Sequence, residues 1–135
     1  MATTASPTSN PFSTDFSSTT SAGATPVNDI LLGPGYIHSV TVDNTASGAS
    51  NVHVKLYDDA GPTVGGTDPA VILPVKAGEH RTFEFRCFDS SGNYTGGLKF
   101  DTAISYAVVQ EAGTSGTTAP AATVNVYLTV TSTAT

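Results

Sequence analysis

Tryptophan is absent from this 135-residue chain, cysteine occurs once, and Lys and Arg together number only five. A lone Cys87 excludes an intrachain disulfide framework, and its alternation with Phe83 and Phe85 predicts a thiol in the core. Five basic residues against eleven acidic ones leave a net charge of −6. Phosphate neutralisation supplies most non-specific nucleic-acid affinity, so DNA, RNA and anionic membranes are poor partners for such a chain. Charged residues make up 12% of the sequence, where roughly 25% is usual in soluble domains. A surface so poor in charge can be covered by neighbouring protein at low desolvation cost. Apolar runs are only a few residues long, too short to span a bilayer. The first Lys or Arg is Lys55, so the basic start of a secretory leader is missing, and assembly in a cytoplasm is the expectation.

Recognisable chemistry is equally scarce. His38, His53 and His80 fall on separate predicted strands with no convergent second ligand, which argues against a metal centre. No GxSxG elbow surrounds any serine, and a cysteine on an apolar strand face is a poor nucleophile. Gly65-Gly66 lacks the Gly-Lys-Ser/Thr continuation of a phosphate loop. Asp58, Asp59 and Asp68 bracket one loop and could gather a calcium ion, but the EF-hand spacing is missing and Asp-rich turns commonly form without metal. The expectation is a protein that is not an enzyme, with no catalytic residue, no metal and no cofactor.

What the chain does contain divides in two. Residues 1–26 hold 13 Ser or Thr, with Asp15 as the only charge, and cannot bury enough apolar surface to offset backbone ordering. This segment reads as an extended N-terminal arm whose Pro7, Pro11, Phe12 and Phe16 are candidate contacts to another surface. Residues 27–135 read as one β domain. In 51–57 Val52, Val54 and Leu56 alternate with His53, Lys55 and Tyr57; in 81–88 Phe83, Phe85 and Cys87 alternate with Thr82, Glu84 and Arg86. In 123–131 Val124, Val126, Leu128 and Val130 alternate with Asn125, Tyr127 and Thr129. Segment 36–43 is β-branched, but the step from Ile37 to Val40 implies a bulge or an undefined register. Segment 70–75 carries Pro74 and belongs at a sheet edge or strand end; 97–100, 103–110 and a short first strand at 29–32 complete the set. About seven or eight antiparallel strands favour a β-sandwich or jelly roll. Loops 58–69 and 111–122 are long and rich in small residues, the places where partner contacts would be built.

The run from Ile37 to Asn44, then Val54-Lys55-Leu56-Tyr57-Asp58, Ile72-Leu73-Pro74-Val75, Ala77-Gly78, Phe83-Glu84-Phe85 and Gly97-Leu98-Lys99-Phe100-Asp101-Thr102 resembles small β-sandwich structural proteins of tailed bacteriophages. The resemblance covers about residues 30–131, and the stretch from Cys87 to Tyr94 departs from it. It implies a virion protein: a capsid decoration, or cement, protein that binds the major capsid protein on the outer head surface as a homotrimer, assembled in the host cytoplasm. The polar, uncharged strand positions Tyr57, Tyr127 and Thr129 could then pack around a threefold axis. The alternative is a receptor- or carbohydrate-binding module of a tail, fibre or baseplate, which the absence of Trp disfavours.

Overall fold

The computed structural model describes residues 2–5, 14–46, 48–88, 90–92 and 94–132, and these form strands, turns and loops with no helix among them. The strands are β1 (Ala2–Ala5), β2 (Thr14–Thr19), β3 (Gly35–Asp43), β4 (Val52–Tyr57), β5 (Val71–Val75), β6 (His80–Glu84), β7 (Cys87–Phe88), β8 (Tyr94–Gly96), β9 (Leu98–Phe100), β10 (Ser105–Val109) and β11 (Asn125–Ser132). All pairing is antiparallel. The larger sheet runs β1-β2-β11-β3, and the far edge of β3 is shared: β6 pairs with Ser39–Asp43 and β9 with Gly35–Ile37. The smaller sheet runs β10-β4-β5, and β7 and β8 form a separate two-stranded ribbon.

The apolar faces of the two sheets meet in one core. Ile37, Val40, Val42, Val126, Leu128 and Val130 come from the larger sheet, and Val52, Val54, Leu56, Leu73, Val75 and Val108 from the smaller. The period-2 segments are thus inward-facing rows, as alternation requires. Pro74 lies in β5, the edge strand of its sheet, where its missing amide forfeits no ladder bond. The pairing of β3 with β11 shifts register at Thr129/Val130, which confirms the bulge between Ile37 and Val40.

Four expectations change. Residues 14–19, read as part of an arm, form a strand between β1 and β11, with Ser17 and Thr19 buried. Thr19 can face the core because a partner is at hand: its Oγ1 hydrogen-bonds Tyr106 Oη across the sandwich. Pro7, Pro11 and Phe12 lie outside the described residues, while Phe16 takes the backbone register position opposite Thr129. Second, residues 29–32 form a turn rather than a strand; Asp29 Oδ1 accepts the Gly33 amide at 2.8 Å. Third, Cys87 is exposed. Because β9 occupies the β3 edge beyond Ser39, the chain leaves that edge after Phe85, and Cys87 falls in the ribbon rather than the core. Gly97 permits the return, since a Cβ there would lie 1.9 Å from the Ile37 carbonyl oxygen. Fourth, Lys55 and Tyr57, expected on a solvated face, are fully buried. Tyr57 is therefore closed to any threefold contact.

Candidate functional site

Register aligns the outward side chains of the larger sheet into rows. Ser18, Tyr127, Thr41 and Thr82 lie abreast across β2, β11, β3 and β6. Thr129, Ser39 and Glu84 form the next row, and Thr131, Tyr36 and Lys99 the one beyond. In these rows Glu84 and Lys99 stand on β6 and β9, beside the far edge of β3. The hydroxyls are knitted together: Ser39 Oγ donates to Thr129 Oγ1 at 3.1 Å, and Thr41 and Thr82 share a hydrogen bond of 2.9 Å. The row of Ser18, Tyr127, Thr41 and Thr82 is polar and uncharged, with part of the face's hydrogen-bonding already satisfied within the sheet.

The β3 bulge opens a cleft at one side of this face. His38 is the extra residue opposite the Thr129/Val130 step, so it and Ser39 both project outward rather than alternating. Their contacts confirm it: His38 Nε2 bonds Thr131 Oγ1, and Ser39 reaches Thr129. Burial lowers the His38 pKa below the ordinary histidine value, so its ring is neutral at physiological pH. The Phe85 amide donates to the His38 carbonyl at 2.9 Å and fixes the end of β6 alongside. Glu84, Phe85, Arg86 and the exposed Phe88 complete a cleft of about 470 Å³. Glu84 and Arg86 face each other at 3.4 Å.

On the opposite side of the molecule the two long loops fold inward. Lys55 Nζ donates to three carbonyls of the second loop, Gly113 at 2.7 Å, Thr114 at 3.1 Å and Gly116 at 2.9 Å. Desolvation pushes its pKa below that of an ordinary lysine, against the pull of the Glu111 carboxylate. Glu111 itself is tied to Thr118, whose amide donates to it at 3.0 Å. The loops also touch each other, for a Cβ on Gly65 would come within 2.6 Å of the Thr117 methyl. Together they roof the outer side of β4 and β10. Asp58 accepts the amides of Asp101 at 3.1 Å, Thr102 at 2.7 Å and Ala103 at 3.2 Å. Burial would raise its pKa, but those three donors outweigh it and the net direction is down.

No family model, curated protein or solved structure matches this chain. Function must therefore be argued from the residues. Among the described residues no group of three or more His, Cys, Asp or Glu gathers as a metal site, and Asp58 is committed to backbone amides. His38, His53 and His80 remain apart: His53 Nδ1 meets the Gln110 carbonyl at 2.9 Å, and His80 pairs across from Asp43. Among the described residues no helix is long and apolar enough to cross a membrane. Sequence reading missed the gathering of His38, Ser39, Glu84, Arg86 and Phe88. The one signal for it was the Ile37-to-Val40 register break, which marks where a bulge re-aims side chains.

Proposed function

We propose that this chain is a virion structural protein, a decoration (cement) protein that binds the major capsid protein on the outer surface of a tailed-phage head as a trimer. It works by association alone, without catalysis or cofactor, and is assembled in the host cytoplasm. The observation that carries this reading is the uncharged hydroxyl face centred on Ser18, Tyr127, Thr41 and Thr82. Covering hydroxyls that keep partners costs far less than covering unpaired charge. Four strands about 4.8 Å apart and six residues of about 3.3 Å rise give a patch of roughly 15 by 20 Å. That is small beside the ~800 Å² per partner of a standard stable interface, so one copy would bind weakly and three linked copies would gain by avidity.

Sedimentation with capsid shells stripped of this protein tests the reading. Thr41→Lys sets an ammonium in the middle of the face; shell binding should fall at least about tenfold, since an uncompensated charge must be desolvated, with little change in melting temperature. Undiminished binding would remove the hydroxyl face from the account. The alternative, a receptor- or carbohydrate-binding module of a tail, fibre or baseplate, draws on the cleft beside β3 and predicts binding to tails or host surfaces instead.

A further inference from the structure

A second concavity, about 260 Å³ in volume, lies where the start of β4 and the end of β5 approach Arg81 of β6. His53 and Pro74 stand opposite each other in the β4/β5 register and line it over buried Val52 and Val75. Lys76 and Arg81 border it, two of the chain's five Lys and Arg, of which a third, Lys55, is buried. None of its described lining residues is acidic, although the chain as a whole carries a charge of −6. We infer that this pocket binds a small apolar carboxylate, its oxygens held by Arg81, Lys76 and the Asn51 side-chain amide and its hydrocarbon part laid on Pro74 and the His53 ring.

Part of the site is in place before any ligand arrives. Arg81 Nη1 donates to the Pro74 carbonyl at 3.2 Å, and the guanidinium lies 4.6 Å from the centre of the Phe83 ring, so the fork is held at the pocket with donors to spare. His53 Nδ1 donates to the Gln110 carbonyl at 2.9 Å, which fixes the imidazole in the wall. Asn51 Oδ1 accepts the Ala77 amide at 3.0 Å, while its NH2 group and the Lys76 ammonium meet no side-chain or backbone acceptor among the described residues. Glu79 offsets part of the positive charge, because its carboxylate accepts the Lys76 amide at 3.3 Å and stands 3.6 Å from Arg81 Nε. A partly exposed pair of that kind is weak, and it leaves the ammonium free.

These groups select the ligand. A planar carboxylate matches the guanidinium fork, one oxygen to each N–H. A phosphate is less suited: a strongly hydrated anion would lose water against Pro74, and the negative chain repels polyanions. A neutral apolar ligand would cover Lys76 and Arg81 without pairing them. The volume falls just short of the about 300 Å³ at which small-ligand pockets begin, so one ring or a short alkyl chain fills it. Because the cations stay partly in water, affinity should be near millimolar. The β4 and β5 walls belong to the smaller sheet and the hydroxyl face to the larger, so this inference stands apart from the decoration reading.

Amide NMR shifts of isotopically labelled full-length protein test it, with benzoate and hexanoate as free acids, the tripeptide Gly-Gly-Phe as a chain-end carboxylate, and benzamide and the amidated tripeptide as neutral controls. Saturable shifts at residues 51–53, 75, 76 and 81 are expected with at least one carboxylate, and the matching amide should bind about tenfold more weakly or not at all. Tighter binding of the free acids assigns a small molecule, and tighter binding of the tripeptide the chain end of a protein; either result supports a carboxylate site. Lys76→Gln and Arg81→Gln should each weaken binding about tenfold, the loss of one charge-assisted contact. Lys76 is exposed, so its variant should keep the fold, and an unchanged spectrum outside the pocket separates ligand loss from unfolding. The inference is overturned by scattered or unsaturable shifts with every carboxylate, by equal binding of acid and amide, by binding that survives both substitutions, or by preference for inorganic phosphate over all the carboxylates.

Discussion

Lys55→Met keeps most of the buried stem and removes the ammonium that holds the 111–122 loop. Three carbonyl bonds from a fully buried charged donor are lost. Hydrogen bonds to charged groups contribute about 1.5–3 kcal/mol each, an upper sum of roughly 5–9 kcal/mol. Two effects reduce it. The variant no longer desolvates an ammonium, a saving of several kcal/mol, and the freed carbonyls can turn to water if the loop lifts. A net loss of about 2–4 kcal/mol remains. For a chain of this length each kcal/mol moves the melting temperature by about 3–4 °C, so calorimetry should find a fall of roughly 6–16 °C. Hydrogen exchange should localise the effect. The Gly116 amide, bonded to the Gly113 carbonyl at 3.2 Å, and the Gln110 amide, bonded to the Thr118 carbonyl at 2.9 Å, should exchange faster. A melting temperature within about 2 °C of the parent, with unchanged exchange in this loop, would refute the view that Lys55 pins it.

Two further substitutions test separate points. Tyr57 is fully buried and its hydroxyl meets no hydrogen-bond partner among the described residues, so Tyr57→Phe should stabilise the fold by about 1 kcal/mol in urea titrations. Burial also raises the Tyr57 pKa; the unfolded chain releases that proton first, near pH ~10, so the native state loses stability as pH climbs past that value, and Tyr57→Phe should make the alkaline decline shallower. A destabilised variant, or an unchanged alkaline limb, would show that the hydroxyl is satisfied. Leu32 sits at φ 55° and is 89% exposed, so it strains the backbone and buries little. Leu32→Gly should raise the melting temperature by about 1–2 °C, from about 1 kcal/mol of relieved strain offset in part by glycine's entropy when unfolded; a decrease would mean that Leu32 packs against something.

Much of the sandwich was legible because strand alternation encodes which face is buried. Val52, Val54, Leu56, Val126, Leu128 and Val130 all point where that periodicity sends them. The same rule misplaced Lys55 and Tyr57, because alternation separates two faces without saying whether the polar one is roofed. The roof comes from loops whose small residues carry no periodicity, and Lys55 is accepted beneath it only because three backbone carbonyls converge on it. Composition likewise hid β2: a Ser/Thr-rich stretch looks unable to form a core, yet Thr19 is buried against a tyrosine hydroxyl. Cys87 left the core for a topological reason, competition between β6 and β9 for one edge of β3, which no local pattern in 81–88 reveals. The cleft follows from the same competition together with the bulge, so its residues could be gathered only once the long-range pairings were known.

The proposal of a capsid decoration role is tested most directly by the copy number bound at saturation on shells stripped of this protein. The account predicts saturable binding at three copies per local threefold position, released together as a trimer. Absence of saturable binding to shells, with binding to tails or to host-cell surfaces in its place, would contradict it.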